Sequence, residues 1–282
     1  MLLLDNNPTP KLANAVCAYF PPEEIGKHVI KCIWKLREYA FNEREECILP
    51  KGTVEIIFNL SDEIVYCNPG LNIRSPLPAC FINGINFKPF SLVKKGPQRL
   101  IGIQMNAVGL RLLFGEPVRV FNNTVIEGQV VCKSLKTLYQ KLIGTEVFEE
   151  QVAEIMKWAY QRISAAYFNR DLNRIQSLFF SKNMADYTIH RLCKEGGISD
   201  RHMRRLAVEW LGMGPESFML YNKYLASLHL LHHHKQCSLT QIGLQAGYYD
   251  QSHFIRAFRS FTGMTPKEYR LSNTKIPGHI MV

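Results

Sequence analysis

The sequence holds eight cysteines in 282 residues but no Cys-x-x-Cys, and its closest cysteine pair, Cys67 and Cys80, is thirteen residues apart. That spacing excludes a zinc ribbon or a thioredoxin-type dithiol, and the thiols read as reduced and mostly buried. No apolar run approaches the ~18 residues of a membrane-spanning helix. There is no G-x-S-x-G, no P-loop and no H-E-x-x-H, so the common hydrolase, nucleotide and zinc-protease signatures are missing. The paired carboxylates Glu45-Glu46 and Glu149-Glu150 read as surface charge. Met-Leu-Leu-Leu-Asp5 is too short and too soon acidic for a signal peptide. These absences predict a soluble cytoplasmic protein that is not an enzyme and carries no cofactor and no metal.

What is present is an ordinary globular composition, 46% hydrophobic and 21% charged, with a basic balance of 34 Lys and Arg against 24 Asp and Glu. The last 100 residues hold 12 basic and 7 acidic side chains and eight of the nine histidines. A basic excess suits a polyanion but does not by itself name one.

Short apolar alternations fill the first half: Ile30, Cys32, Trp34, Leu36; Val54, Ile56, Phe58, Leu60; Cys80–Ile85; Leu100–Met105. Pro50-Lys51-Gly52, Asn68-Pro69-Gly70, Pro76 to Pro78 and Gly96-Pro97 interrupt them, which predicts a β barrel or sandwich. A helix is expected over Ala107–Phe114, ending at Gly115. After about Val130 the period becomes helical. Leu135, Leu138 and Leu142 mark one helix, and Phe148, Val152, Ile155, Ala159, Ile163 and Ala166 another. Their apolar faces suit internal packing or a second subunit.

From Thr188 onward the sequence repeats itself. Thr188 to Leu192, then Gly197 and Ser199, parallels Ser238 to Ile242, then Gly247 and Asp250. His202, Met203 and Arg205 match His253, Phe254 and Arg256, and Gly212-Met213-Gly214-Pro215 matches Gly263-Met264-Thr265-Pro266. Each copy reads as a capped helix, a glycine turn and a second capped helix, the helix-turn-helix pattern. In the first copy Met203, Leu206, Ala207 and Trp210 form the buried stripe, leaving Arg201, Arg204, Arg205 and Val208 outside it. In the second, Phe254, Phe258 and Phe261 are the buried stripe. Gln251, Ser252, Ile255, Arg256 and Arg259 lie elsewhere. Arginine and glutamine suit bidentate contacts to guanine and adenine edges. Between the copies, Ser217 to about His232 reads as one helix with Phe218, Tyr221, Leu225, Leu228 and Leu231 inward. His232-His233-His234 with Cys237, and His190 with Cys193, invite a metal. A solvated turn and a core thiol account for them more simply.

Residues Thr188 to Leu271 resemble the DNA-binding domain of the AraC family of bacterial transcription regulators. The strongest portion is Gly247-Tyr248-Tyr249-Asp250-Gln251-Ser252-His253-Phe254, followed by Arg256, Phe258, Gly263, Thr265-Pro266 and Tyr269-Arg270. Two positions depart from the family pattern, Ala207 for a large aromatic and Gly243 for alanine, and both suggest looser packing. The resemblance implies two recognition helices in successive major grooves. Arg201, Arg204 and Arg205 would form one reading set, and Gln251, Ser252, Ile255 and Arg256 the other. It implies double-stranded DNA and RNA polymerase as partners.

Leu49-Pro50-Lys51-Gly52 with Val54–Phe58, and Ile101–Met105 with Gly109–Leu113, resemble the β-rich N-terminal domains of some such regulators. Asn106-Ala107-Val108-Gly109 replaces the Arg-Pro-Gly common there, so a ligand pocket built on those residues would be altered or missing. That domain would serve a small-molecule effector or a homodimer. An alkyl-transfer DNA-repair protein would need a cysteine cluster, which the scattered cysteines do not provide. The expected architecture is α+β: a barrel-like β-rich sensor or dimerisation domain over 1–130, a helical connector over 131–182, and an all-α AraC-type DNA-binding domain with two helix-turn-helix units over 183–282.

Overall fold

A computed structural model describes residues 15–22, 29–39, 42–163, 170–180, 188–272, 274 and 276–281. Its first part is built of antiparallel strands: β1 (Ala15–Tyr19), β2 (Ile30–Glu38), β3 (Arg44–Ile48), β4 (Val54–Asn59), β5 (Ile64–Asn68), β6 (Ile73–Pro76), β7 (Cys80–Asn83), β8 (Phe90–Lys94), β9 (Gln98–Met105) and β10 (Val125–Glu127). A last strand, β11 (His279–Met281), comes from the far end of the sequence. Among the described residues the strands form two separate ladders and not one closed ring. Six run in the order β1-β2-β9-β4-β7-β10, and five in the order β11-β3-β8-β5-β6.

The alternation read from the sequence follows the pleat, in which neighbouring side chains point to opposite faces. On β2 and β9, however, both faces are covered. Ile33, Ile101 and Ile103 belong to the main core, while Cys32, Trp34, Leu36 and Leu100 meet Ile64 of the other sheet in a smaller cluster. Gly102 lies opposite Trp34 in the ladder, and an added Cβ would stand 2.1 Å from the indole. β3 escaped the alternation rule because it reads Arg-Glu-Glu-Cys-Ile. Glu45 is exposed, as expected of surface charge, but Glu46 is not. It is buried and paired to Lys94 of β8 at 2.7 Å, because an inward-pointing carboxylate in a sheet must find a cation.

Helices follow. α1 (Ala107–Phe114) starts at an Asn106 cap and stops at Gly115 with φ +77°. α2 (Gly128–Val131), α3 (Ser134–Ile143) and α4 (Phe148–Ile163) come next, then a helical stretch over 170–180 that opens with α5 (Arg170–Ile175). The apolar face of α4 packs internally: Val152, Ile155, Trp158, Ala159 and Ile163 are buried in the main core. Buried Gln151 donates from Nε2 to the Leu142 and Thr145 carbonyls at 3.0 and 2.7 Å, and Arg162 ties the helix to the Leu113 carbonyl at 2.6 Å. Ala166 and the junction at Lys182 lie outside the described residues.

The helical part contains α6 (Ile189–Gly196), α7 (Asp200–Leu211), α8 (Pro215–His233), α9 (Leu239–Gln245), α10 (Gln251–Thr262) and α11 (Pro266–Leu271). One apolar core runs from the sheets through these helices, from Ile33 and Ile103 to Trp210, Tyr224 and Phe258. All eight cysteines are free.

Candidate nucleic-acid interface

Each helix-turn-helix unit is set by its punctuation. In the first, Thr188 caps α6, Gly197 turns the chain at φ +58°, and Ser199 caps α7 by accepting the His202 amide. In the second, Ser238 and Gln241 form a capping box on α9, Gly247 turns at φ +85°, and Asp250 caps α10 by accepting the His253 amide at 2.6 Å. Such caps satisfy amide groups that a helix start leaves open. Gly212 and Gly263 end α7 and α10 at φ +77° each, a left-handed conformation that favours glycine.

The buried stripes are those read from the sequence. Met203, Leu206, Ala207 and Trp210 anchor α7. Phe254 and Phe258 anchor α10, with Phe261 partly buried. Gly243 does not loosen the second unit. Phe254 fills the space, and an added Cβ would meet its Cβ at 3.2 Å.

The opposite faces are largely exposed. Arg201, Arg204, Arg205, Gln251, Ser252 and Arg256 are exposed, and Ile255 is partly buried. Among the described residues Arg201 and Arg256 make no ion pair. Arg204 is held differently. Its guanidinium pairs with Asp200 at 2.7 Å and forks onto both carboxylate oxygens of Glu216 at 2.5 and 2.9 Å. Those hydrogen bonds hold the Glu216 carboxyl below the usual carboxylate range. Arg205 lies 3.4 Å from Glu209, one turn on. Gln251 is steadied by Thr240, whose hydroxyl donates to its Oε1 at 2.6 Å. Glu216 and Thr240 carry no mark in the sequence that links them to these partners, since each contact joins two helices.

The bridging helix α8 is 19 residues long, roughly 28 Å. It buries Phe218, Tyr221, Leu228 and Leu231, with Leu225 partly buried, and adds Tyr224 and Ser227 to the inward face. Tyr224 stacks on Phe261 at 4.7 Å between centroids, so α10 rests on the bridge. The β-rich part touches both α7 and α10 near their C-terminal ends. Asn122 donates to the Gly212 carbonyl at 2.6 Å, Arg111 lies over the Trp210 ring at 5.2 Å, and Lys88 donates to the Ser260 carbonyl at 2.6 Å. The N-terminal halves of α7 and α10, which carry Arg201, Arg204, Gln251 and Ser252, stay clear of these contacts. The histidine triplet ends α8; His233 and His234 are exposed there.

Among known proteins, a family described as a helix-turn-helix domain matches residues 192–272. A domain of unknown function, DUF6597, matches residues 17–127. An uncharacterized HTH-type transcriptional regulator of Haemophilus influenzae is 26% identical over 112 residues, which are 40% of this chain and 37% of that protein. The chain therefore spans little more than a third of that relative's length. Among solved structures, ToxT from Vibrio cholerae aligns at 13% identity over 87% of this chain and 98% of its own, with a TM-score of 0.48. A transcriptional regulator with an AraC-type DNA-binding domain from Chromobacterium violaceum aligns at 27% identity over 36% of this chain and 88% of its own, with a TM-score of 0.32. The matched helix-turn-helix domain, residues 192–272, takes in nearly all of both repeated units.

Proposed function

We propose that this chain is a sequence-specific DNA-binding transcription regulator, working in the cytoplasm with double-stranded DNA and RNA polymerase as its partners. The observation that carries this reading is the pair of exposed, polar and basic helix faces at equivalent positions of a repeated unit, joined by one rigid helix. A bridge of roughly 28 Å approaches the ~34 Å repeat of one duplex turn. In this reading residues 183–282 bind the operator. Arg201, with Arg204 and Arg205, reads one major groove; Gln251, Ser252, Ile255 and Arg256 read the next. Residues 1–130, joined through 131–182, modulate that binding through a small-molecule effector or a homodimer.

The test is selection of bound duplexes by the full chain from a random-sequence pool. The reading expects enrichment of a site with two conserved elements about 10 base pairs apart. Equal recovery of all sequences at physiological salt would overturn it.

A further inference from the structure

The strand β11 joins the helix-turn-helix part to the β-rich part. It follows α11 of the helix-turn-helix domain, yet pairs with β3 of the β-rich part: His279 opposite Ile48, Ile280 opposite Cys47, Met281 opposite Glu46. Just before it, the Gly278 carbonyl accepts the Leu49 amide at 2.8 Å and the Gly278 amide donates to the buried Tyr269 hydroxyl at 3.2 Å. β3 would otherwise be a sheet edge with open amide and carbonyl groups.

A buried cluster of charged and titratable groups lies at the start of this strand. Glu46 on β3 takes Lys94 of β8 on one oxygen at 2.7 Å and His279 Nδ1 on the other at 2.5 Å. Lys51, on the β3–β4 connection, places its ammonium 2.8 Å from His279 Nε2. An ammonium only donates, so Nε2 accepts, Nδ1 carries the ring proton and donates it to Glu46, and the docked imidazole is neutral. The groups facing it are Glu46, Lys51 and Lys94, two cations and one anion. A second ring proton would have to sit on Nε2, against the Lys51 ammonium. The imidazolium and Lys51 cannot both keep their places.

We propose that β11 is a proton-released clasp, which ties the helix-turn-helix domain to the β-rich domain while His279 is neutral and opens when His279 is protonated. Burial and the Lys51 ammonium hold the docked imidazole below its ordinary range, outweighing the pull of Glu46 in the other direction. The sign follows. An undocked His279 takes a proton near its ordinary pKa of about 6.5, and the docked one only at lower pH. The open form therefore binds more protons, and the clasp weakens as pH falls below about 6.5. The clasp rests on the strand pairing and the cluster alone. Its consequence for DNA rests on the regulator reading, so the experiment reads the clasp without DNA.

The measurement is hydrogen exchange of the full chain at about pH 7.5, 6.5 and 5.5, corrected for intrinsic exchange, in peptides covering 44–49 and 279–281. Protection there is expected to fall about tenfold across the range, while β4 and β9 keep theirs. His279→Gln keeps a donor for Glu46 and an acceptor for Lys51 but cannot titrate, so its protection should hold at the lowest pH. Lys51→Met removes the opposing ammonium and should also keep the clasp closed there. Wild-type protection that does not change with pH would overturn the proposal. So would a loss in both variants that parallels the wild type.

Discussion

The Gly52 amide donates to the Tyr221 hydroxyl across the domain boundary at 3.0 Å, and the bare Cα of the same glycine lets the bridging helix close on it. An added Cβ would stand 2.4 Å from Leu225 Cδ1, and Gly52 has φ +66°. The Tyr221 hydroxyl in turn donates a hydrogen bond to the Asn86 carbonyl at 2.9 Å. One position of the β-rich domain therefore fixes where α8, the element shared by both helix-turn-helix units, can lie.

Gly52→Ala should disturb that seat more than an alanine elsewhere on the surface. The left-handed backbone costs about 1–2 kcal/mol with a Cβ, and crowding against Leu225 about 1–3 kcal/mol more. The urea midpoint of the full chain should fall accordingly. An unchanged midpoint would mean that the domains do not close on this glycine.

Tyr224→Phe probes the second tether. The Tyr224 hydroxyl donates to the Pro50 carbonyl at 2.9 Å in a fully buried position. Removing it leaves a buried carbonyl unpartnered, at a cost of about 1–3 kcal/mol, while the stacking on Phe261 is kept. Equilibrium unfolding should show the loss. Because α10 rests on that ring, Tyr224→Ala should lower stability further than Tyr224→Phe.

Much of the interface could be read from the residues because it is written in local punctuation. Ser199, Asp250, Ser238, Gly197, Gly247, Gly212 and Gly263 fix caps and turns through groups only a few residues away. The β-rich part was legible where one strand alternates cleanly, as at Val54 to Phe58. It was illegible where burial depends on a distant partner. Glu46 reads as surface until Lys94 and His279 are beside it. The three residues of β11 carry no strand signal of their own. Of the bridging tyrosines Tyr221 showed as apolar spacing and Tyr224 did not show, and their hydroxyl partners, Asn86 and Pro50, lie more than a hundred residues away.

Arg204 illustrates the same limit at the candidate site. Sequence places it in the reading set, and the fold closes Asp200 and Glu216 around it. Both carboxylates are exposed beside the face proposed to meet DNA, where they would repel phosphate. Glu216→Gln should release one side of that cage and tighten binding to all duplexes about equally. The gain should be of the order of an exposed ion pair, roughly 0–1 kcal/mol, with base preference unchanged. A salt-titrated binding series checks it. Weaker binding would show that the cage positions Arg204 productively.

In the proposed function the N-terminal halves of α7 and α10 read bases. The most direct measurement is a salt-titrated binding series of the full chain and its Arg201→Ala, Gln251→Ala and Arg259→Ala variants against every single-base change of the selected site. Arg201→Ala and Gln251→Ala should each cost about 1–3 kcal/mol on the cognate site and relax preference at one or two base pairs, the two positions lying about one helical turn apart. Arg259→Ala, farther along α10, should weaken all sites equally, with a salt slope lower by about one, or leave binding unchanged. If Arg201→Ala and Gln251→Ala instead lower affinity uniformly and leave base preference intact, these faces hold the backbone and do not read the sequence.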